Sequence, residues 1–174
     1  MNKRIIIALS FLISATVLSA QDESEYTDDR PWNTIYINFG GDASISSLNY
    51  ERLFFKRPKF FFTGALGIGY NKNADDEFEG SIFQIQHSQY LTIPHHITMN
   101  VGKENSFFEF GIGGIGIIGN TNKNYFLCPI IGYRFHPLIS IKLNFRIYVS
   151  FPFDGFKNVE IWWFPIGLSL GTNF

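Results

Sequence analysis

The chain has 174 residues, of which 18% are aromatic and 17% charged, with a formal net charge of −1 and a mean hydropathy of +0.03. A nearly neutral chain exerts no broad electrostatic attraction on nucleic acid, which argues against that class of partner. The single cysteine, Cys128, excludes an internal disulfide.

The amino-terminal residues have the pattern of a secretory signal peptide. Two basic residues precede the apolar run 5–18, which is followed by Ser19, Ala20 and a polar segment. The apolar run is too short for a membrane-spanning helix. We therefore predict a signal peptide over residues 1–20, cleaved near Ala20. The residue directly after that cleavage site is not a cysteine, so a lipid anchor on a first cysteine is excluded.

The rest of the chain divides into a leader and one domain. Residues 21–31 are rich in Asp, Glu and Ser without periodicity, which predicts a flexible periplasmic leader. Residues 32–174 have the length of a single domain. Removal of the signal leaves about 154 residues, or about 19 for each of eight strands with its connection, and a tilted membrane strand needs about 9–11. The length therefore favours eight strands over six or ten.

Eight segments alternate bulky with small or polar residues at a period of two, which indicates strands. In the first, Ile35, Ile37 and Phe39 occupy one face and polar residues the other. The second is the least regular, because Arg52 lies on its apolar face. The seventh is the clearest. In chain order, the predicted strands cover residues 34–40, 46–54, 60–70, 87–101, 108–118, 125–135, 141–151 and 162–174.

The connections differ between the two ends of the predicted barrel. The long acidic segment 71–80 connects two strands at one end, whereas the turns near residues 56 and 104 at the other end are compact. Short periplasmic turns and longer outer loops are typical of membrane barrels, which places segment 71–80 outside. Aromatic residues are expected at both interfaces, with Trp32, Phe55, Phe107, Phe135 and Phe174 on the inner side and Tyr70, Tyr125, Phe153 and Trp162 on the outer.

Alternation alone does not decide which face is outside, since soluble eight-stranded barrels also alternate. The interior of such a barrel is only just wide enough for side chains to fill it. The Phe-, Leu- and Ile-rich faces of all eight strands exceed that volume, whereas the small and polar faces fit. We therefore predict an all-β, eight-stranded antiparallel up-and-down transmembrane β-barrel, closed because an open edge in lipid leaves backbone groups unpaired.

The last predicted strand alternates bulky and small residues up to the terminal Phe174. Together with the signal and the even strand count, this strand resembles those of small OmpX/OmpA-type outer-membrane barrels. The segments 49–52, 132–134 and 167–171 also resemble an exported barrel family whose role is uncharacterised. The resemblance implies that the barrel-assembly machinery reads Phe174, although Thr172 stands where such strands keep an apolar residue.

Five charged residues are predicted to face the lumen by strand parity, that is, by lying an even number of positions from the small and polar residues of their strand. A charge shut away from water is costly unless it is paired, so the main interpretation is a structural ion-pair network that neutralises a narrow interior. The alternative is a proton-gated or ion-conducting role. The residues of this predicted network are Glu51, Glu109, Arg134, Lys142 and Arg146.

The histidines suggest an active site or a metal site only superficially. Adjacent strand residues point to opposite faces, so neither His95 with His96 nor His87 with Ser88 forms a simple pair, unless Pro94 introduces a bulge. Outer-membrane lipid A deacylases use histidine and serine, but their spacing with a carboxylate is missing here. The acidic residues of segment 71–80 lack the ligand spacing of a calcium loop. We therefore predict no catalytic, cofactor-binding or metal residue.

These patterns together predict the location better than the activity. The main hypothesis is a monomeric, non-enzymatic outer-membrane barrel of a Gram-negative envelope, with a filled lumen and a structural or surface-interaction role. The expected partners are outer-membrane lipid and the assembly machinery, with no nucleic acid; the sequence does not identify a ligand of the outer loops. The alternatives are passage of small solutes or ions, and a lipid-modifying enzyme that resembles the lipid A deacylases.

Overall fold

The computed structural model describes residues 30–72, 89–119, 124–137, 142–153 and 163–174. Eight strands form one closed barrel in which each strand pairs antiparallel with its chain neighbours and β8 pairs with β1. This confirms the predicted up-and-down architecture. The strands are β1 (Asn33–Gly40), β2 (Ser46–Arg57), β3 (Phe60–Lys72), β4 (Gln89–Lys103), β5 (Ser106–Gly119), β6 (Tyr125–Phe135), β7 (Leu143–Ser150) and β8 (Ile166–Asn173).

Side chains sort by face around the barrel, as the alternation predicts. In β1, Ile35, Ile37 and Phe39 are exposed on the outer wall, whereas Thr34 and its inward-facing neighbours are buried. The same alternation runs through β7 and β8. The outer wall is therefore apolar. No helix among the described residues is both long and apolar enough to cross a membrane.

The least regular predicted strand contains a bulge. The β2–β3 register shifts between Leu53 and Phe55, so that Phe54 is an extra residue and both phenylalanines lie on the outer wall. Such an insertion bends a strand and increases its twist. Pairing resumes beyond it, and β2 continues to Arg57 rather than ending at residue 54. The connection to β3 is therefore only the turn Pro58-Lys59.

The closure of the barrel depends on tyrosine side chains that lie over glycines of the neighbouring strand. Tyr36 of β1 pairs with Gly171 of β8, and Tyr148 of β7 lies between Gly132 of β6 and Gly167 of β8. The missing side chains leave room for the aromatic rings inside a narrow lumen. These contacts join strands that close the barrel.

Replacing Gly171 by alanine is expected to lower the free energy of unfolding by about 1–3 kcal/mol, the usual cost of overpacking. A Cβ at this position overlaps the backbone carbonyl oxygen of Ile35 and the Cβ of Tyr36, so the strand backbones have to move. Urea titration of the protein folded in lipid vesicles measures the change. The matched control is Gly116→Ala, because the nearest atom to a Cβ there is 3.6 Å away. Equal stability of the two variants would contradict the prediction.

Candidate functional site

The centre of the lumen holds four of the five charged residues predicted to meet there. Arg134 of β6 donates to both carboxylate oxygens of Glu51 of β2, with Nη2 2.7 Å from Oε2, and Nη2 lies 3.2 Å from Oε1 of Glu109. Arg146 of β7 binds Glu109 of β5 through two nitrogens, at 2.9 and 2.7 Å. All four side chains are fully buried. We call these four residues the central ion network.

The central ion network is balanced in charge and supported by neutral groups. Two guanidinium groups face two carboxylates, so each buried charge has a counter-charge, as burial away from water requires. Thr63 donates to Oε2 of Glu51 at 3.1 Å, and its hydroxyl lies 2.9 Å from that of Thr98. Bidentate guanidinium–carboxylate contacts fix orientation as well as charge. The network thus ties together four separate strands.

Lys142 does not belong to this network, and its predicted placement in the lumen was wrong. The side chain is exposed, and β7 begins one residue later, at Leu143. Strand parity determines the direction of a side chain only where the backbone is extended and paired. Lys142 lies beyond that limit, at the end of the barrel where the chain enters the strand.

A second polar cluster lies in the lumen between the central ion network and the end of the barrel formed by the β1–β2 and β3–β4 connections. We call this end the outer end and the opposite end the inner end. Asp42 belongs to a single 3-10 turn (Gly41–Ala43), here called the plug turn, which folds into the barrel and is entirely buried. Its carboxylate lies 2.9 Å from Nδ1 of His96 and accepts hydrogen bonds from Asn38, at 2.8 Å, and from the hydroxyl of Tyr148. The plug turn is therefore held in place by side chains of β1, β4 and β7.

The electrostatics of Asp42 follow from these contacts. Burial by itself raises the pKa of the Asp42 carboxyl, but the hydrogen bond and charge of His96 and the hydrogen bond from Tyr148 outweigh burial, so the pKa lies below its usual value. Asp42 is therefore a carboxylate at neutral pH. In that form it accepts all three hydrogen bonds.

The two clusters form one continuous hydrogen-bonded path. Nη1 of Arg146 lies 3.2 Å from the hydroxyl of Tyr36, and that hydroxyl lies 3.4 Å from Nε2 of His96. His96 in turn contacts Asp42. Polar contacts therefore extend from the central ion network to the plug turn without a gap along the axis of the barrel.

The sequence reasoning missed Asp42 and His96. No role is assigned to Asp42 from the sequence, and His96 is considered only as one of two adjacent histidines that point to opposite faces of a strand. The available signal is the pair Gly40-Gly41, whose φ angles of 67° and 57° are easily adopted only by glycine and allow the chain to turn inward. The β4–β5 register runs unbroken through Pro94, so no bulge forms there. His95 and His96 therefore point to opposite faces, as predicted for a strand without a bulge.

Apolar side chains close the lumen on both sides of the polar groups. Leu53, Phe61 and Phe107 pack together near the inner end. Phe107 was expected at the outer surface in the inner aromatic belt, and that expectation was wrong because its position in β5 faces inward. Near the outer end, a larger cluster consists of Tyr90, Ile115, Ile117 and Phe126, with Trp163 packed against it.

Arg30 corrects the predicted extent of the leader. It was assigned to the flexible segment 21–31, but its side chain is buried at the inner end of the lumen. The guanidinium group lies 4.5 Å from the ring centroid of Phe107 and donates to the carbonyl oxygens of Arg57 and Pro58, at 3.3 and 3.2 Å. Arg30 is therefore part of the folded barrel. The contacts with the ring and the carbonyl oxygens compensate the positive charge of this buried side chain.

His136 lies beside Arg30 at the same end of the lumen. Its ring is 5.4 Å from that of Phe61, and Nδ1 lies 2.8 Å from the amide nitrogen of Asn144. Burial, together with the positive charge of Arg134, lowers the pKa of His136 to about 3. His136 is therefore neutral at physiological pH, with Nδ1 accepting a hydrogen bond from Asn144.

The remaining candidate residues do not assemble into a reactive site within the described part of the chain. His95 stacks on Tyr125 at the outer wall, with Nε2 2.9 Å from the tyrosine hydroxyl. Cys128 is a buried free thiol. Across the described ranges, no group of three or more His, Cys, Asp or Glu residues is arranged to hold a metal ion. His87, Ser88, the acidic residues of segment 71–80 and Trp162 lie outside the described residues.

Comparison with known proteins leaves the chain without a family assignment. No family model matches the sequence. No curated protein matches it. The structure shows a closed, eight-stranded antiparallel barrel, and any specific role has to be argued from the chain itself.

Proposed function

We propose that this chain is a monomeric outer-membrane β-barrel with a filled lumen, in a structural or surface-interaction role. In this proposal the segment 1–20 directs export and is removed near Ala20, outer-membrane lipid surrounds the wall, and the assembly machinery reads Phe174. The single observation that carries the proposal is the sorting of side chains: exposed apolar residues cover the outside of a closed barrel, and charged and polar residues fill the inside.

A filled lumen is supported by the order of the layers inside it. From the inner end outward, these are Arg30 with its aromatic contacts, the central ion network, the Asp42 cluster and the outer apolar cluster. Passage of a solute requires several of these layers to separate. Moving one partner away from a buried charge pair is strongly unfavourable, which makes passage the weaker alternative.

A non-enzymatic role is the second part of the proposal. The charged groups at the centre of the lumen bind one another, as Arg134 binds Glu51 and Arg146 binds Glu109, and His95 at the wall contacts a tyrosine rather than a nucleophile and a carboxylate. Acyl transfer needs a nucleophile and a base within hydrogen-bond reach. A lipid-modifying enzyme remains the alternative, tested by mass spectrometry of lipid A from cells with and without the protein.

Membrane fractionation and conductance test the proposal directly. The protein expressed in a Gram-negative host is expected in the outer-membrane fraction, resistant to alkaline carbonate extraction, and shifted in gel mobility by boiling. In planar bilayers the purified protein is expected to give no stable open current. A protein that stays soluble without detergent would disprove the membrane assignment, and a steady current would disprove the filled lumen.

A further inference from the structure

The inner end of the barrel carries an excess of basic side chains on its outer surface. They lie in β2, in the turn that follows it, at the end of β4 and just before β7, and all are exposed except Lys56, which is half-buried. Across the described residues of this end, the only acidic groups are Glu104 and the terminal carboxylate of Phe174. We call the basic set the basic rim, and it consists of Arg52, Lys56, Arg57, Lys59, Lys103 and Lys142.

The charge of the opposite end differs in sign. The connections there, together with the last residue of β3, contain three lysines and, besides the buried Asp42, six acidic residues in the sequence. The basic rim is therefore a property of the described residues of one end, since the chain as a whole has a net charge of −1 and the sequence just before Arg30 holds five acidic residues. The lysines of the outer end are Lys72, Lys123 and Lys157, and the acidic residues are Asp75, Asp76, Glu77, Glu79, Asp154 and Glu160.

Several rim charges are not neutralised by the described part of the protein. Arg52 contacts the amide oxygen of Asn33 at 3.4 Å, and neither it nor Lys59 nor Lys142 has a described acidic group within 4.0 Å. Lys103 has only Glu104, at 3.8 Å, and both of these side chains are largely exposed. Pairs of that kind contribute little to stability. Arg52, Lys59 and Lys142 thus retain their positive charge within the described structure.

Aromatic rings place this charge at the depth of lipid headgroups. The Lys56 ammonium lies 4.3 Å from the ring centroid of the exposed Trp32, and the Arg57 guanidinium lies 5.6 Å from that of the exposed Phe55. Aromatic side chains flank the apolar band of membrane barrels where it meets the headgroups. Long basic side chains beside them extend toward the polar layer.

We propose that the basic rim binds the headgroups of anionic phospholipids in the periplasmic leaflet of the outer membrane. The inference rests on the proposed function, because it needs the apolar wall to lie in a bilayer. Basic residues close to a membrane surface attract anionic lipids, and the attraction falls off within a Debye length. Only side chains near the headgroups contribute, and within the rim Lys56 and Arg57 lie beside exposed aromatic rings. Binding there fixes the orientation and depth of the barrel.

Native mass spectrometry of the mature, folded chain tests this inference. The protein in neutral detergent is mixed with equimolar phosphatidylglycerol and phosphatidylcholine that have the same acyl chains, and the ratio of the two bound lipids is measured. We expect phosphatidylglycerol to be retained in excess. The triple substitution R52Q/K59Q/K142Q is expected to lower this ratio about tenfold, since each rim charge contributes to the attraction.

The matched control removes the same charge from the other end. K72Q/K123Q/K157Q alters the net charge by the same amount and is expected to leave the ratio unchanged. Equal losses in both triple variants, or no preference in the unmodified chain, would overturn the inference. So would a preference that emerges only when the acidic residues of segment 22–29 are changed to amides, because that segment would then be the occupant of the rim. The assay uses solubilised barrel, so its outcome is independent of membrane fractionation.

Discussion

Replacing Glu109 by glutamine is expected to lower the free energy of unfolding by about 3–5 kcal/mol, the usual cost of breaking a buried ion pair. Glu109 binds Arg146 through two hydrogen bonds and also contacts Arg134. Arg134 retains Glu51, but Arg146 loses the carboxylate that it binds in the described structure and keeps only neutral partners, such as the amide oxygen of the new side chain, the hydroxyl of Tyr36 and the ring of Tyr148. A fully buried guanidinium then lacks a counter-charge. Urea titration of the protein folded in lipid vesicles, followed by tryptophan fluorescence, measures the loss.

Two further variants separate the charge effect from the loss of a carboxylate as such. Glu104→Gln removes an acidic group from an exposed turn and is expected to change stability by less than about 0.5 kcal/mol. The double variant E109Q/R146Q removes both partners and is expected to be more stable than E109Q alone, since no unpaired charge remains. If the double variant is the less stable of the two, the guanidinium of Arg146 is not the source of the loss.

The central ion network was accessible from sequence because it depends only on parity. Each of Glu51, Glu109, Arg134 and Arg146 lies within a paired strand, where the period of two decides the face. Which residues contact each other was not accessible. That depends on the stagger between strands around a closed barrel, which sets the height of each side chain along the axis.

Parity fails where the chain leaves the sheet, and three of the wrong or missing predictions lie there. Lys142 precedes β7, Arg30 precedes β1, and Asp42 sits in the plug turn between β1 and β2. For each of these residues, burial is decided by the path of an irregular segment against the interior. A sequence of Gly, Asp and Ala looks the same whether the turn faces solvent or folds inward. The predicted aromatic belt contains a related error at Phe107. This residue was assigned to the belt because it lies near a strand end, without regard to the face of the strand on which its ring lies.

The filled lumen also explains why the interior contains tyrosines opposite glycines. A ring of small residues alone leaves unfilled volume, and large side chains from every strand exceed it. Tyr36 and Tyr148 fill the space that Gly132, Gly167 and Gly171 leave. Their hydroxyls then reach the polar path, since Tyr36 contacts Arg146 and Tyr148 contacts Asp42. Packing and hydrogen bonding thus depend on the same tyrosine side chains. Substitutions of these tyrosines or of the glycines opposite them are therefore expected to affect closure of the barrel.

Replacing Asp42 by alanine is expected to lower the free energy of unfolding by about 3 kcal/mol and to loosen the plug turn. Three buried donors, on Asn38, His96 and Tyr148, lose a charged acceptor, and each such hydrogen bond contributes about 1.5–3 kcal/mol. Release of the buried carboxylate from its desolvation offsets part of the sum. Urea titration in lipid vesicles measures the stability. Hydrogen exchange at residues 41–44, followed by mass spectrometry, measures the mobility of the turn.

The pH dependence of the same variant provides an independent check. Because the pKa of Asp42 is lower in the folded chain than in the unfolded chain, its contribution to stability is present above the unfolded pKa and lost as the pH falls through the folded pKa. D42A is therefore expected to differ most from the unmodified chain near neutral pH and to approach it in acid. D42N keeps an acceptor oxygen in place and is the matched control, expected to retain a protected turn. Hydrogen exchange at residues 41–44 that is equal in D42A and the unmodified chain would show that the Asp42 side chain does not hold the plug turn in the barrel.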